Sequence, residues 1–333
     1  MWKILQALEG CDLEFVDLMR GARTAVETCM GVNADENVLV VTDTGRLGIA
    51  PAFAAASRAV GAETSTIIMT PRSRNGEEPP KVVAEAMKGA DVLLLVTTKS
   101  LSHTEARVGA TKIGVRIASM PGITEDMLTI GGMTADFNQV SELARKVTAL
   151  LAGTRLVRLT NLAGTDLSLS LEGRRPGPPD TGIYRVRGDF GNLPAGEAYI
   201  APVENSVNGV LVVDGSLLSK LVREPVRLTF EKGRLSKVEG GAEARELENL
   251  LRELADEGAY RVGELGIGTN PRARVTGRIL EDEKALGTVH IALGKNTDFG
   301  GANESKIHED AVILNAALWL DDLPVLQAGR LRV

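Results

Sequence analysis

The first half of the chain alternates short, continuously apolar segments with segments of helical periodicity. Residues 37–43 (NVLVVTD) and 91–97 (DVLLLVT) are apolar at consecutive positions, as strands covered on both faces are. Residues 64–70 and 114–120 continue this series, and helices are predicted over 47–60, 81–88, 103–113 and 136–152. Strands and helices in this order are typical of a parallel sheet with helices on both sides. We therefore predict a doubly wound parallel α/β fold for this half.

The second half has a different pattern. Residues 165–172 alternate polar and apolar positions, and antiparallel strands are predicted over 156–160, 210–214, 226–230 and 235–239. The tripeptide EKG at 231–233 is typical of a hairpin turn, and an amphipathic helix is predicted over 242–257. At 333 residues the chain is long enough for about two domains. We predict an α/β domain over 1–154 and a β-rich α+β domain over 155–333.

The charge and cysteine counts exclude several classes of protein. With 38 basic and 44 acidic residues the net charge is −6, which disfavours a nucleic-acid partner. The two cysteines form no CxxC motif, so thiolate zinc sites and disulfide frameworks are excluded. Neither a signal peptide nor an apolar run of membrane-spanning length is present in the sequence. These features predict a cytoplasmic protein with no membrane partner.

A nucleotide site in the first half has little support. A dinucleotide-binding fold needs GxGxxG directly after its first strand, and here only Gly45 and Gly48 follow residues 37–43. Pro51 also falls within the first turn of the predicted helix. The glycines are better explained as turn residues of the scaffold.

Metal-ligand residue types are concentrated between residues 190 and 310. Glu197 and Glu264 each follow a glycine among small or apolar residues, where an unpaired carboxylate is costly. His290 lies in a short predicted strand, GTVHIALG, with small neighbours. His308 and Asp310 begin another apolar strand at positions i and i+2, so their side chains point to the same face.

Carboxylate oxygen and imidazole nitrogen together suit Zn²⁺, Mn²⁺, Co²⁺ or Fe²⁺. Five such residues are more than one catalytic zinc ion takes from a protein, which favours a second ion bridged by carboxylates. Each residue taken singly also has an ordinary structural explanation, such as a salt bridge or a satisfied core histidine.

Three further groups are candidates for the site. His103 follows the strand predicted at 91–97, where the carboxyl ends of parallel strands face a ligand crevice, and it is either an acid/base group or a cap of the next helix. Arg107 and Arg116 are candidates for binding a substrate carboxylate or for surface salt bridges. The acidic run 281–283 is interpreted mainly as a solvated helix face, with the alternative that one of its residues lies at the site.

The segments NLPAGEAYIAP, GELGIGTNP, ILEDEKALGTVHIALGKN and HEDAVI, in this order, resemble the thermophilic metallo-aminopeptidase family, the aminopeptidase T type of leucyl aminopeptidase. The resemblance extends over nearly the whole chain. It implies a cytoplasmic homodimer that is a hydrolase and metalloprotease acting on short peptides or small-molecule amides. It also implies two divalent ions (zinc, cobalt or manganese) held by Glu197, Glu264, His290, His308 and Asp310. In an alternative assignment, one of the two glutamates is the general base and not a metal ligand. His103 is a further catalytic candidate.

The chain departs from the peptidases at one position of the motif. They have a tyrosine a few residues after the GTVHIALG histidine, whereas residues 294–299 here read GKNTDF. A related branch is similar to 2,5-dihydroxypyridine 5,6-dioxygenase, and this resemblance implies one non-haem Fe(II) held by His290, His308 and Asp310. Glu197 and Glu264 favour the hydrolytic site. We therefore expect a metal-dependent aminopeptidase first, and a ring-cleaving dioxygenase is the alternative.

Overall fold

The computed structural model describes residues 13–332. The helices, in chain order, are α1 (Leu13–Arg23), α2 (Ala50–Val60), α3 (Lys81–Met87), α4 (Glu105–Lys112), α5 (Glu125–Thr129), α6 (Phe137–Leu151), α7 (Ala242–Leu254) and α8 (Ile279–Asp282). The strands are β1 (Asn37–Asp43), β2 (Glu63–Met69), β3 (Val92–Val96), β4 (Arg116–Ser119), β5 (Leu156–Thr160), β6 (Asp166–Ser170), β7 (Phe190–Asn192), β8 (Glu197–Ile200), β9 (Asn208–Val213), β10 (Ser216–Leu217), β11 (Lys220–Leu221), β12 (Val226–Glu231), β13 (Arg234–Glu239), β14 (Val262–Gly268), β15 (Val289–Gly294), β16 (His308–Ile313), β17 (Ala317–Leu320), β18 (Leu323–Gln327) and β19 (Arg330–Leu331).

The chain forms two compact units. The first contains the described residues up to Asn138 together with Gly182–Ala195, and the second contains Gln139–Thr181 and the chain from Gly196 onward. The division differs from the single boundary expected between residues 154 and 155. The reason is that the chain returns to the first unit after residue 181, where β7 pairs in parallel with β4.

The first unit is built on a five-stranded parallel sheet with the order β2-β1-β3-β4-β7. This is the flavodoxin-like order of a doubly wound sheet. All five residues of β3 are buried, as a strand covered on both faces requires. Helix α2 accommodates Pro51 in its first turn, where no amide hydrogen bond is lost, and ends at Gly61 with a φ of 102°.

The second unit contains two antiparallel sheets. One has six strands in the order β11-β10-β16-β15-β14-β8, and the other has eight in the order β13-β12-β9-β6-β5-β17-β18-β19. The turn predicted at 231–233 joins β12 to β13, and its residues Lys232 and Gly233 both have positive φ (49° and 73°), as a tight hairpin turn requires.

The hydrophobic core of the second unit lies between these sheets and helices α6 and α7. The six-stranded sheet contributes alternate residues such as Leu265 and Ile291, the eight-stranded sheet contributes residues such as Leu228, and α7 contributes Leu247 and Leu251. Because only alternate residues of β14 and β15 enter this core, their other face is available for polar side chains.

The predicted fold class, an α/β parallel-sheet part and a β-rich part with antiparallel sheets, is confirmed. Strands β7, β8 and β14 were among those not predicted; the three residues of β7, FGN, carry no hydrophobic pattern. The helical periodicity of residues 2–30 predicts a helix there; the structure has α1 and a π-helix at Thr24–Cys29, and residues 2–12 lie outside the described part of the chain. No helix within residues 13–332 combines the length and the apolar character needed to cross a bilayer.

Candidate metal centre

The six-stranded sheet carries both histidines of the second unit and three carboxylates on one face. Ala292 of β15 pairs with Asp310 of β16 on one side and with Glu264 of β14 on the other. His290 lies two residues from Ala292, and His308 lies two residues from Asp310, so all of these side chains point to the same face. The small side chain of Ala292 leaves space between the two carboxylates.

Strand β8 extends this face at the edge of the sheet. Glu197 pairs with Gly268 and Tyr199 pairs with Gly266, on the same face as Glu264. A Cβ atom at Gly266 would lie 2.0 Å from Nε2 of His290, so the imidazole ring occupies the space above this glycine. The glycine of the GELGIG segment is therefore required by the position of His290.

The ligand atoms of this face lie close together. Nε2 of His290 is 3.1 Å from Oε1 of Glu264 and 3.5 Å from Oε2 of Glu197. Nε2 of His308 is 3.4 Å from Oε2 of Glu264 and 3.4 Å from Oδ1 of Asp310. One ligand atom from each of Glu264, His308 and Asp310 fits within a 4.8 Å group, and so does one from each of Glu197, Glu264 and His290. The structure thus brings together all five residues predicted as metal ligands.

The orientation of His308 is fixed by a backbone carbonyl. Its Nδ1 lies 2.8 Å from the oxygen of Lys295. Because a carbonyl only accepts hydrogen bonds, Nδ1 carries the proton and donates, which leaves the lone pair of the neutral ring on Nε2. A metal-binding histidine commonly has this second hydrogen bond, which holds the ring in place.

Negative charge dominates the electrostatics of this face. Burial alone would lower the pKa of His290, but the hydrogen bond to Glu264 and the charges of Glu197 and Asp310 raise it to about 9. Burial likewise opposes ionisation of Asp310, yet the charge of His308 holds the pKa of that carboxyl below its usual value. A field that stabilises protonated histidine also favours a cation, which binds in exchange for those protons.

The acidic run 281–283 is not a solvated face, so that interpretation was wrong. Glu281 and Asp282 are buried, and Glu283 lies within a 4.8 Å ligand group with His290 and Asp310. Lys284, the next residue, is also buried and pairs with Glu197 through a 2.5 Å hydrogen bond. In the sequence this segment has the charge pattern of an exposed helix, and only the contact with Glu197, 87 residues earlier, reveals its place.

Two aromatic residues lie beside the histidines and were not predicted. The ring of Phe299 meets the ring of His308 edge to face at 6.0 Å and that of Tyr199 at 5.4 Å. Burial raises the pKa of Tyr199, which keeps its hydroxyl protonated. In the sequence, the i, i+2 spacing of Glu197 and Tyr199 was the signal that could have placed both side chains on one face of a strand. Phe299 stands in the segment that has a tyrosine in the peptidases.

The remaining candidates lie in the first unit. His103 is exposed in the turn before α4, and it is Thr104, not His103, that caps this helix by accepting a hydrogen bond from the amide of Arg107. Arg116 is buried and donates to both carboxylate oxygens of Glu36 at 2.6 Å, so it serves as a structural ion pair. Arg107 lies over the ring of Phe190 at 3.9 Å.

The residues present fit a divalent cation. Oε2 of Glu197 and Oδ1 of Asp310 are buried, and neither forms a hydrogen bond with any described residue. Buried polar atoms of this kind normally find a partner or a bound ion. Two imidazoles and three carboxylates on one sheet face define an oxygen- and nitrogen-lined centre of the class found in metalloenzymes.

The comparisons with known proteins identify the family. Residues 17–333 match the family model described as NicX: 2,5-dihydroxypyridine 5,6-dioxygenase, and the chain belongs to this family. It is 29% identical over 257 residues to a curated protein named 2,5-dihydroxypyridine 5,6-dioxygenase from Pseudomonas putida (strain KT2440). That match covers 73% of this chain and 71% of the relative.

Two solved structures share the fold. The 2,5-dihydroxypyridine dioxygenase from Pseudomonas putida KT2440 superposes with a TM-score of 0.77 at 22% identity, covering 94% of this chain and 96% of the other. Wild-type AmpT from Thermus thermophilus superposes with a TM-score of 0.70 at 21% identity, covering 95% and 99%. The resemblance to the aminopeptidase T type thus holds at the level of the fold.

The family match corrects the predicted activity. The sequence favoured a metallo-aminopeptidase, that is, a hydrolase and protease, over a ring-cleaving dioxygenase. The family model and the curated relative both carry the dioxygenase description, so the aminopeptidase prediction is wrong. The error came from reading Glu197 and Glu264 as evidence for hydrolysis, although carboxylates beside a metal are not specific to one reaction.

Proposed function

We propose that this chain is a mononuclear non-haem iron dioxygenase that opens a dihydroxypyridine ring, with His290, His308 and Asp310 holding Fe(II). The observation that supports it most is the placement of these three side chains on one face of two neighbouring strands, around the small residue Ala292. Family membership supports the reaction type and the ring as substrate class.

Fe(II) held by these two histidines and one carboxylate would supply the oxygen-activating chemistry of ring opening. The protein's own groups orient these ligands. The carbonyl of Lys295 holds the ring of His308, and the bare backbone of Gly266 gives His290 its position. Rotation of the His308 ring would break its hydrogen bond to the carbonyl of Lys295. Rotation of the His290 ring is limited by the backbone at Gly266.

Glu264 is the carboxylate best placed to receive a proton from a substrate hydroxyl. Its two oxygens lie 3.1 Å and 3.4 Å from the Nε2 atoms of His290 and His308, and its side chain is buried. A carboxylate at this position accepts a proton where a hydroxypyridine would bind as an anion. Phe299, edge to face with His308, supplies an aromatic surface beside this position.

The test is anaerobic purification, reconstitution with Fe(II), and simultaneous recording of oxygen uptake and loss of 2,5-dihydroxypyridine. We expect one iron per chain and one O₂ consumed per ring opened, with no release of p-nitroaniline from aminoacyl p-nitroanilides. Ring loss without oxygen uptake, or no ring loss at all, contradicts the proposal.

A further inference from the structure

Lys284 places a buried positive charge beside the metal-binding face. Its side chain is 2% exposed, and the residue lies two positions after the last residue of α8. Three carboxylates surround its Nζ atom: Oε1 of Glu197 at 2.5 Å, Oε1 of Glu283 at 2.6 Å and Oδ2 of Asp180 at 3.6 Å. A compact point charge within a shell of carboxylate oxygens has the surroundings that a hard divalent cation takes in proteins.

The ammonium is firmly charged in this shell. Its Nζ donates a hydrogen bond to Oε1 of Glu197 and forms an ion pair with Oε1 of Glu283. An unpaired buried ammonium would be strongly destabilising, so the lysine and the carboxylates require each other.

This cluster is continuous with the metal ligands. The second oxygen of Glu197, Oε2, is buried without a hydrogen bond to any described residue and lies 3.5 Å from Nε2 of His290. Glu283 belongs to a ligand group with His290 and Asp310. Carboxylates that bridge two ions hold them about 3.5–4 Å apart, so a second ion sharing Glu197 would compete with the lysine for the same oxygens.

We propose that the ammonium of Lys284 takes the place of a second divalent cation and so limits this centre to one metal ion. The inference rests on the proposed single-iron centre. It explains why a face with enough carboxylates for two ions serves a one-metal reaction: one of the two cation positions is already filled by the protein. Lys284 acts here as a positioning residue, because its ammonium occupies the second cation position and supplies a positive charge there.

The test is metal stoichiometry with Mn²⁺ as the probe, measured anaerobically by equilibrium dialysis and elemental analysis on wild type, Lys284→Arg and Lys284→Ala. We expect one Mn²⁺ per chain for wild type and for the arginine variant, and two for the alanine variant. Electron paramagnetic resonance gives an independent readout, since one isolated Mn²⁺ has a six-line spectrum and a coupled pair has a broadened one. The double variant K284A/E283Q should bind its second ion about tenfold more weakly than K284A, because a carboxylate is lost.

Three results overturn the inference, and they separate it from the proposed function. If K284A binds one ion, Lys284 does not set the number, while the single-metal centre stands. If wild type binds two ions or none, the proposed centre fails and this inference fails with it. Should K284A unfold on its own, Mn²⁺ is expected to restore its folded circular-dichroism signal at lower concentration than for K284R, and no such recovery refutes the proposal.

Discussion

The parallel sheet of the first unit and the six-stranded sheet of the second are equally buried at their centres but place polar groups differently. Every residue of β3, β14 and β15 is buried. In the first unit polar groups lie at strand ends and satisfy one another, as where Asp43 accepts hydrogen bonds from the amide and hydroxyl of Thr98. In the second unit histidine and carboxylate side chains within β14, β15 and β16 share one face.

This difference shows where each sheet can support chemistry. A strand covered on both faces by apolar groups leaves only its ends for polar side chains. An antiparallel strand with one apolar face keeps its fold while the other face carries histidine and carboxylate. Lys284 neutralises part of the negative charge of that face, and the remaining charge favours a cation, whereas the polar groups of the first unit complete structural hydrogen bonds.

The largest expected effect is the loss of metal on truncating a histidine of this face. His308→Ala should weaken metal binding on the order of 100-fold or more and abolish ring opening, because it removes a ligand and its fixed orientation. The matched control is Glu309→Gln, since Glu309 lies on the opposite face and accepts a hydrogen bond from the amide of Leu218 that glutamine can also accept. Isothermal titration with Mn²⁺ measures both, and equal losses would remove the distinction between faces.

His103 tests whether the first unit takes part in the reaction. As an acid/base group it should account for about a 100-fold decrease in kcat in His103→Ala. Metal content is expected to stay at the wild-type level, because His103 belongs to the first unit and the ligands to the second. Steady-state kinetics beside elemental analysis provides the comparison, and an unchanged kcat would assign His103 no catalytic role.

Alanine substitutions at two glycines, one in each unit, test the difference between the units. Gly266→Ala places a Cβ atom against His290, which should cost about 1–3 kcal/mol of unfolding free energy and weaken metal binding about tenfold. Gly109→Ala, within α4, meets no atom within 4 Å and should stabilise the chain by about 0.4–1 kcal/mol. Urea denaturation and metal titration report both changes. Equal effects of the two substitutions would contradict the structural reading of β14.

The smallest expected effect on function is that of Arg116→Met. It leaves Glu36, whose side chain is 21% exposed, without its ion-pair partner and removes the hydrogen bond to the carbonyl of Met30. A loss of about 2 kcal/mol in unfolding free energy is expected, below the range for a fully buried pair because Glu36 is partly solvated. Metal affinity and KM should remain within about twofold, and a large rise in KM would instead support the carboxylate-binding role first considered for Arg116.

Periodicity was sufficient for most of the fold. The strands predicted over 37–43 and 156–160 coincide with β1 and β5, because their apolar pattern is the same feature that buries them. The spacing of His308 and Asp310 likewise predicted a shared face. The sequence could not show that Glu283 and Lys284 lie at this face, since Lys284 pairs with the distant Glu197 and Glu283 lies beside His290 and Asp310, which no local pattern encodes.

The reaction was harder to infer than the site. Histidine and carboxylate on one face are compatible with hydrolysis and with oxygen chemistry, and the difference depends on the number of ions and on the groups around them. The absence of a tyrosine from residues 294–299 pointed towards the dioxygenase branch, and the two glutamates pointed away from it. The homodimer implied by the resemblance, like the assignment of individual ligands, stays a prediction.

Anomalous diffraction at the iron absorption edge, from crystals grown anaerobically with Fe(II), tests the central claim most directly. The account predicts one anomalous peak per chain, within bonding distance of Nε2 of His290, Nε2 of His308 and a carboxylate oxygen of Asp310, with Lys284 still against Glu197. Two peaks sharing Glu197, or a peak away from this face of the six-stranded sheet, would contradict it.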